Sequence, residues 1–472
     1  MVREMIPKEI IQALNRGRFN LLIKGAPGTG KTSLALTILR ENITTGVYLS
    51  TRINLDELQE QFPWVKELIK RNQIYDATVS RFPRKESKYK LQYNNITEFI
   101  RSIYDLVESL GGQKVTIVID SINALKEFFD VPEESMQIEK ALIEISDLYA
   151  FNTVFISESS TEEKLDYLVD GIIVLERKVI DDSIIRRLSI SKLRGSEITT
   201  PAYYFTISEE GIDIISPAKP YRDIYTGFRP IKNPDNLYST GIIDLDKILG
   251  GGVFKGFSIL WEVDSTVPLI YSAYLIDSFG INMMHNNIPW YFISSLSLSQ
   301  YYLYNKFKKE LKDVDVDKLF RIMVFIQTET EYEEKKVPIL KKVLHVQSKV
   351  NTWREVHNIL KNDIEKNKFE AFYVSVALNP LISFYSFNEF LRIILAITKF
   401  ISAYNGLGVF FTTSKFEGFD QLRGIFDYYF KIEKHGNTVM FRILKPFLSS
   451  YYGVELYENE EGGLGIRLKK VI

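Results

Sequence analysis

The chain has 472 residues, 45% hydrophobic and 25% charged, which is the balance of an ordinary globular protein. Its net charge of −1 provides no bulk positive field for nucleic acid or an acidic membrane surface. With no cysteine and four histidines, none in a ligand-spaced pair, disulfides, thiolate metal sites and cysteine catalysis are excluded and little remains for a transition metal. The opening segment MVREMIPKEIIQAL is amphipathic and lacks the long apolar core of a secretory signal. No uncharged apolar window reaches the length of about 18 residues that a membrane span needs, so a cytoplasmic protein is expected.

The apolar run Asn20 to Lys24 reads as a buried strand, and Lys31 to Arg40 reads as a helix, with Leu34, Ala35, Ile38 and Leu39 at helical spacing. Between them lies GAPGTGKTS: Gly25, Ala26, Pro27, Gly28, Thr29, Gly30, Lys31, Thr32 and Ser33. This is the phosphate-loop pattern G-x-x-x-x-G-K-[ST] in its proper strand–turn–helix setting. The glycines let backbone amides approach phosphate oxygens, and the helix start adds a partial positive charge. Lys31 is suited to the β- and γ-phosphates, and the Thr32 hydroxyl to Mg²⁺. ATP and Mg²⁺ are therefore the expected ligands.

Further on, Val47 to Thr51, Val115 to Asp120, Thr153 to Ser157 and Gly171 to Glu176 are short apolar runs suited to a parallel sheet. Alternating strands follow at Leu188 to Arg194 and Tyr203 to Ile207, then Ile212 to Ile215. Asp120 ends its strand, where a carboxylate can hold the Mg²⁺ hydration shell or can cap the next helix. Glu158 ends another strand and suits either water positioning and γ-phosphate sensing or an ordinary strand end. Lys192 and Arg194 are two apart on a strand and should share a face. The basic stretch Arg81 to Lys90 offers phosphate contacts and stacking, or is a solvated loop.

The second half repeats this order. Phe257 to Val263, Trp290 to Ser294, Ala371 to Val376 and Gly408 to Thr413 stand where the earlier strands stood. Asp427-Tyr-Tyr-Phe-Lys-Ile-Glu-Lys echoes Asp170-Gly-Ile-Ile-Val-Leu-Glu-Arg, and the expected architecture is two tandem α/β domains by duplication. Their bounds are 1–225 and 226–472, with the join between Pro217 and Tyr238. Each should be a mainly parallel sheet flanked by helices with an antiparallel extension at its end. Where the second phosphate loop should follow comes Trp261-Glu-Val-Asp-Ser-Thr-Val-Pro-Leu, without the glycines or the lysine. Ser375 stands where the matching strand-end carboxylate is expected. The stretch Lys336 to Lys349 reads as a surface helix.

These motifs resemble the KaiC/GvpD/RadA group of RecA-like ATPases. Thr240 to Gly252 resembles the TGIxxLDxxLGGG signature of KaiC-type domains, Val115 to Ser121 resembles the Walker B strand, and Lys192-Leu-Arg-Gly resembles the K-x-R-G motif. The shortened approach to the phosphate loop is more similar to GvpD-type proteins. The resemblance implies RecA-like domains, and it implies that Lys192 and Arg194 reach the nucleotide of a neighbouring subunit. A homo-oligomer, such as a hexameric ring, follows from that role. One departure counts against fast hydrolysis: the glutamate pair that KaiC-like domains carry after the second strand is missing from Tyr48-Leu-Ser-Thr-Arg-Ile. The implied function is a regulatory ATPase that turns over slowly and passes its nucleotide state to subunit or protein partners. Its competitors are a RadA-like recombination accessory binding single-stranded DNA and a nucleotide-sensing scaffold without turnover.

Overall fold

The computed structural model describes residues 5–471 apart from 42–44, 67–73, 79–90, 92, 111–113, 160, 221–224, 296–297, 327–339, 346–351, 414 and 461. The basic stretch Arg81 to Lys90 thus lies outside the described residues. The chain forms two compact units, Met1–Pro217 with Val471–Ile472, and Ala218–Lys470.

The first unit is built on β1 (Asn20–Lys24), β2 (Thr45–Ser50), β3 (Ile74–Asp76), β4 (Val115–Asp120), β5 (Asn152–Ser157), β6 (Gly171–Ile180), β7 (Ser183–Leu193), β8 (Ala202–Ser208) and β9 (Gly211–Ile215). They form one sheet in the order β3-β2-β4-β5-β1-β6-β7-β8-β9. Strands β3 to β6 in that order run parallel; β6 to β9 are joined by antiparallel pairs. β1 and β5 are buried along their whole length, which is why both read as unbroken apolar runs. Helices cover both faces: Leu34, Ile38 and Leu39 join one core, while Phe99, Ile103 and Leu142 join another. The parallel registers Lys24 with Ser157 and Ser50 with Asp120 bring the carboxyl ends of four strands to one edge. In open α/β sheets that edge is where ligands bind.

The second unit carries a small hairpin, β10 (Leu237–Tyr238) with β11 (Val253–Phe254). Its sheet contains β12 (Ser258–Val263), β13 (Trp290–Ser295), β14 (Phe320–Ile326), β15 (Leu340–His345), β16 (Tyr373–Ala377), β17 (Leu407–Thr412), β18 (Tyr428–His435), β19 (Thr438–Lys445), β20 (Tyr452–Glu458) and β21 (Leu464–Lys470). The order β15-β14-β13-β16-β17-β12-β18-β19-β20-β21 repeats that of the first sheet with one more strand, β15, at the edge. Both units are RecA-like α/β layers. The signature segment is structural here. Asp246 accepts hydrogen bonds from Ser239 Oγ at 2.5 Å and the Thr240 amide at 2.8 Å, tying the helix Ile243–Leu249 to the chain that leads into it.

One expectation is corrected. Residues 340–345, read as part of a surface helix, form strand β15, paired in parallel with β14. Apolar residues three and four apart fit a helix better than a strand, but an open sheet edge supplies backbone partners that periodicity does not record.

Candidate nucleotide site

The loop after β1 is compact. Thr29 donates its amide and hydroxyl to the Ala26 carbonyl, at 3.4 and 2.8 Å. Gly30 has φ +104°, a conformation that side chains rarely adopt. A Cβ at Gly25 would run into the Leu175 carbonyl oxygen. The helix Lys31–Glu41 follows, and its first backward bond is from the Leu34 amide to Gly30 O, at 2.9 Å. The amides of Lys31, Thr32 and Ser33 thus belong to the first turn, whose donors need an external partner.

Lys31 is buried and folds over the loop, its ammonium donating to Gly25 O at 2.7 Å and Ala26 O at 3.1 Å. Burial pulls its pKa below the usual lysine range; Asp120 opposes the shift and Arg52 adds to it. Thr32 Oγ1 donates to Asp120 Oδ2 at 2.6 Å, and the buried Tyr48 hydroxyl donates to the same oxygen. Burial first, and then Asp120, hold the Tyr48 phenol well above its usual range, so it remains a donor. Of the two readings of Asp120, the cap is excluded. Ser121 caps the helix Ile122–Phe128 through the Ala124 amide, at 3.4 Å, while the Asp120 carboxylate turns to Thr32.

These groups border a cavity of about 540 Å³. Gly28, Gly30, Lys31, Thr32, Asp120 and Glu158 form its polar side, and Ile53, Phe62 and Ile207 its apolar side. Arg52 also lines it and forms an ion pair with Glu158. The Glu158 amide donates to Asn123 Oδ1 at 3.3 Å. Tyr48 and Arg52 escaped the sequence reading as functional groups. Both lie on the segment noted for its missing glutamates, and a positive charge where a negative one is expected was the signal.

Lys192 and Arg194 do not line this cavity. Lys192 Nζ donates to Asp166 O at 2.8 Å. Arg194 bonds Asp170 Oδ1 at 3.2 Å and Tyr167 O at 3.3 Å. Arg194 lies one residue beyond the end of β7, in a turn, yet both basic side chains meet the segment from Asp166 to Asp170; the chain reverses at Gly195, where φ is +66°.

The matching connection in the second unit runs from β12 to the helix Leu269–His285. There the Asp264 carboxylate accepts from the Thr266 amide and hydroxyl, at 2.8 and 2.5 Å, and Val267 N closes a turn on Asp264 O at 3.0 Å. Those two bonds hold the Asp264 carboxyl below its usual range. Glu262 is buried, accepts from the Tyr429 hydroxyl and faces Lys415 at 3.6 Å. Ser375 does not stand at the strand end, as the sequence alignment of the halves suggests. It lies inside β16 and accepts from Trp290 Nε1 at 2.6 Å, and the strand ends in Ala377.

A parallel sheet with this loop, Asp120 and cavity at its carboxyl edge defines a RecA-like P-loop domain. Residues 8–219 match the family model described as ATPase: KaiC. Protein GvpD1 of Halobacterium salinarum is 28% identical over 269 residues, 53% of this chain and 49% of that protein. The circadian clock oscillator protein KaiC of Synechococcus elongatus is 24% identical over 255 residues, 51% of this chain and 47% of its own. A UPF0273 protein of Thermotoga maritima is 26% identical over 211 residues, 41% of this chain and 86% of its own. The chain spans about half the length of the GvpD and KaiC relatives it matches. Residues 8–219 are thus similar to KaiC-type ATPase domains, and the chain resembles GvpD and KaiC proteins over about half its length. Among the described residues no helix is long and apolar enough to cross a membrane.

Proposed function

We propose that the amino-terminal domain binds MgATP, hydrolyses it slowly and passes its nucleotide state to subunit or protein partners. The observation that carries this reading is the Thr32–Asp120 hydrogen bond at 2.6 Å, on the wall of a cavity that also holds Lys31 and the first helical turn. The residues fit the ligand. The amides of the first turn have no backward partner, and a side chain at Gly25 would crowd the loop. Thr32 and Asp120 supply the hydroxyl and carboxylate oxygens that Mg²⁺ takes, and the bound ion would neutralise phosphate charge. Lys31 would exchange two loop carbonyls for phosphate oxygens, whose negative charge offsets the burial that depresses its pKa.

Slow turnover follows from the groups near the γ-phosphate end. Glu158 is the carboxylate there without a bond to Thr32, and Arg52 holds it. An anionic phosphate competes for Arg52, and the released Glu158 can orient water. Lys192 and Arg194 point to a different nucleotide, because both lie off the cavity of their own chain. That supports a head-to-tail oligomer, and a ring if the contact closes. The second unit supports assembly or partner binding rather than a second ATP. A second reading, a sensor without turnover, draws on the same Arg52–Glu158 pair, which leaves no free carboxylate in the described site. Phosphate release and oligomer mass, each measured with ATP and with a non-hydrolysable analogue, separate the two. Release with distinct oligomer states supports the ATPase; no release with identical states supports the sensor; no effect of either nucleotide refutes both.

A further inference from the structure

A second cavity, of about 320 Å³, lies on the same edge of the first sheet and shares no lining residue with the nucleotide cavity. Its volume is at the small end of the range of roughly 300–1,000 Å³ typical of ligand sites. One wall is the helix Ile122–Phe128, which begins directly after the Walker-type strand, and the loop that leads on to the helix Gln137–Tyr149. The other wall is the segment after β5. Five carboxylates line it, those of Glu133, Glu134, Glu139, Glu162 and Glu163, against two ammonium groups, Lys126 and Lys164.

The carboxylates are not balanced internally. Lys126 is committed to Glu139 at 2.6 Å and to the Glu133 carbonyl at 2.8 Å. Among the described residues no ion pair reaches the side chains of Glu133, Glu134, Glu162 or Glu163. The clearest sign of a ligand is Glu139, one of the lining residues. The Glu139 side chain is 1% exposed, and its Oε2 has no hydrogen-bond partner. A buried carboxylate oxygen without a donor loses its hydration with nothing in return, so such atoms are rare unless something supplies the donor. Nor do three or more carboxylate or histidine groups converge closely enough anywhere among the described residues to hold a metal ion.

We propose that this cavity binds an organic cation carrying several N–H donors, the guanidinium or ammonium of a basic side chain presented by a partner protein. A guanidinium can give one N–H to Glu139 Oε2 and others to the rim carboxylates, while its alkyl stem lies along Met136 and Leu165. The cavity is also joined to the nucleotide site. Asn123, on its wall, holds the amide of Glu158, which lines the nucleotide cavity and pairs with Arg52. A partner cation and a γ-phosphate therefore act on opposite sides of one segment. That coupling rests on the MgATP reading above, whereas cation binding itself does not.

The test is calorimetric titration of the full-length protein with N-acetyl-arginine amide, with the uncharged citrulline analogue and with spermidine. The arginine amide should bind and the citrulline compound should not. The rim variant Glu133→Gln/Glu134→Gln, which touches no buried group, should weaken arginine binding by about tenfold. Glu139→Gln should weaken it as well, and the rim variant keeps the test decisive if that protein fails to fold. Tighter binding of spermidine would assign the cation to a free polyamine, and tighter binding of the arginine amide to a protein side chain. Failure of both cations to bind, or equal binding by citrulline or by the rim variant, overturns the proposal. A shift in arginine affinity on adding MgATP supports the coupling. An unchanged affinity in protein that binds ATP overturns the coupling alone.

Discussion

Two strand–turn–helix connections occupy the same place in two sheets of the same order, and they use their backbone donors differently. After β1, glycines keep the chain clear of side chains, and the amides of the first helical turn have no backward partner. After β12, the Asp264 carboxylate takes the Thr266 amide and hydroxyl for itself, and Pro268 precedes the helix. The second turn satisfies internally what the first leaves for a ligand, and it does so with a negative charge. A phosphate approaching Asp264 meets repulsion where one approaching Lys31 meets a donor. A duplicated fold can thus keep its sheet while a few side chains decide whether one end of it is a ligand site.

The sharpest way to break this contrast is Lys31→Ala. ATP affinity should fall by about 100-fold or more, because a charge-assisted contact to phosphate is lost along with the charge itself. Unchanged affinity by titration calorimetry would contradict the reading of the first loop. The wild-type affinity should also weaken as pH rises through the Lys31 pKa. Burial sets that pKa below 10.5, so the loss begins at lower pH than for an exposed lysine.

Next in size is Glu158→Gln, which should slow phosphate release by about 100-fold while nucleotide affinity stays within about threefold. Loss of binding instead, with release per bound nucleotide unchanged, would move Glu158 from the chemistry to the architecture of the site.

The smallest effect concerns the charges beside the second turn. Glu433 pairs with Lys431 and His435. Burial raises its pKa, but the bonds from His435 and Lys431 outweigh it and bring it down to about 2 from 4.5. The folded value is the lower one, so its stabilising contribution is present above pH 4.5 and is lost as pH falls toward 2. The melting temperature of Glu433→Gln should therefore approach that of the wild type between these pH values. A constant gap would mean that the pair does not act through its charge.

Much of this was legible in the sequence. The glycine spacing and the flanking apolar runs locate the loop, because both reflect local backbone requirements. Asp120 was legible only to its strand end. Whether it faces Thr32 or caps a helix depends on the β1–β5 and β2–β4 registers, which pair residues more than sixty positions apart. Arg52 and Tyr48 were invisible as partners of Glu158 and Asp120 for the same reason. The β15 segment was misread because edge pairing is a tertiary effect, and the end of β7 was placed one residue late because a strand's last residue cannot be read to within one position. Ser375 was misaligned with Asp120 because counting from a strand's start ignores where the strand ends.

The number of ATP molecules bound per chain tests the central claim most directly. Equilibrium dialysis of the full-length protein against labelled ATP and Mg²⁺ should give one, falling to none in Lys31→Ala. Two per chain, or one that survives loss of the Lys31 ammonium, would contradict the assignment of nucleotide binding to the amino-terminal loop alone.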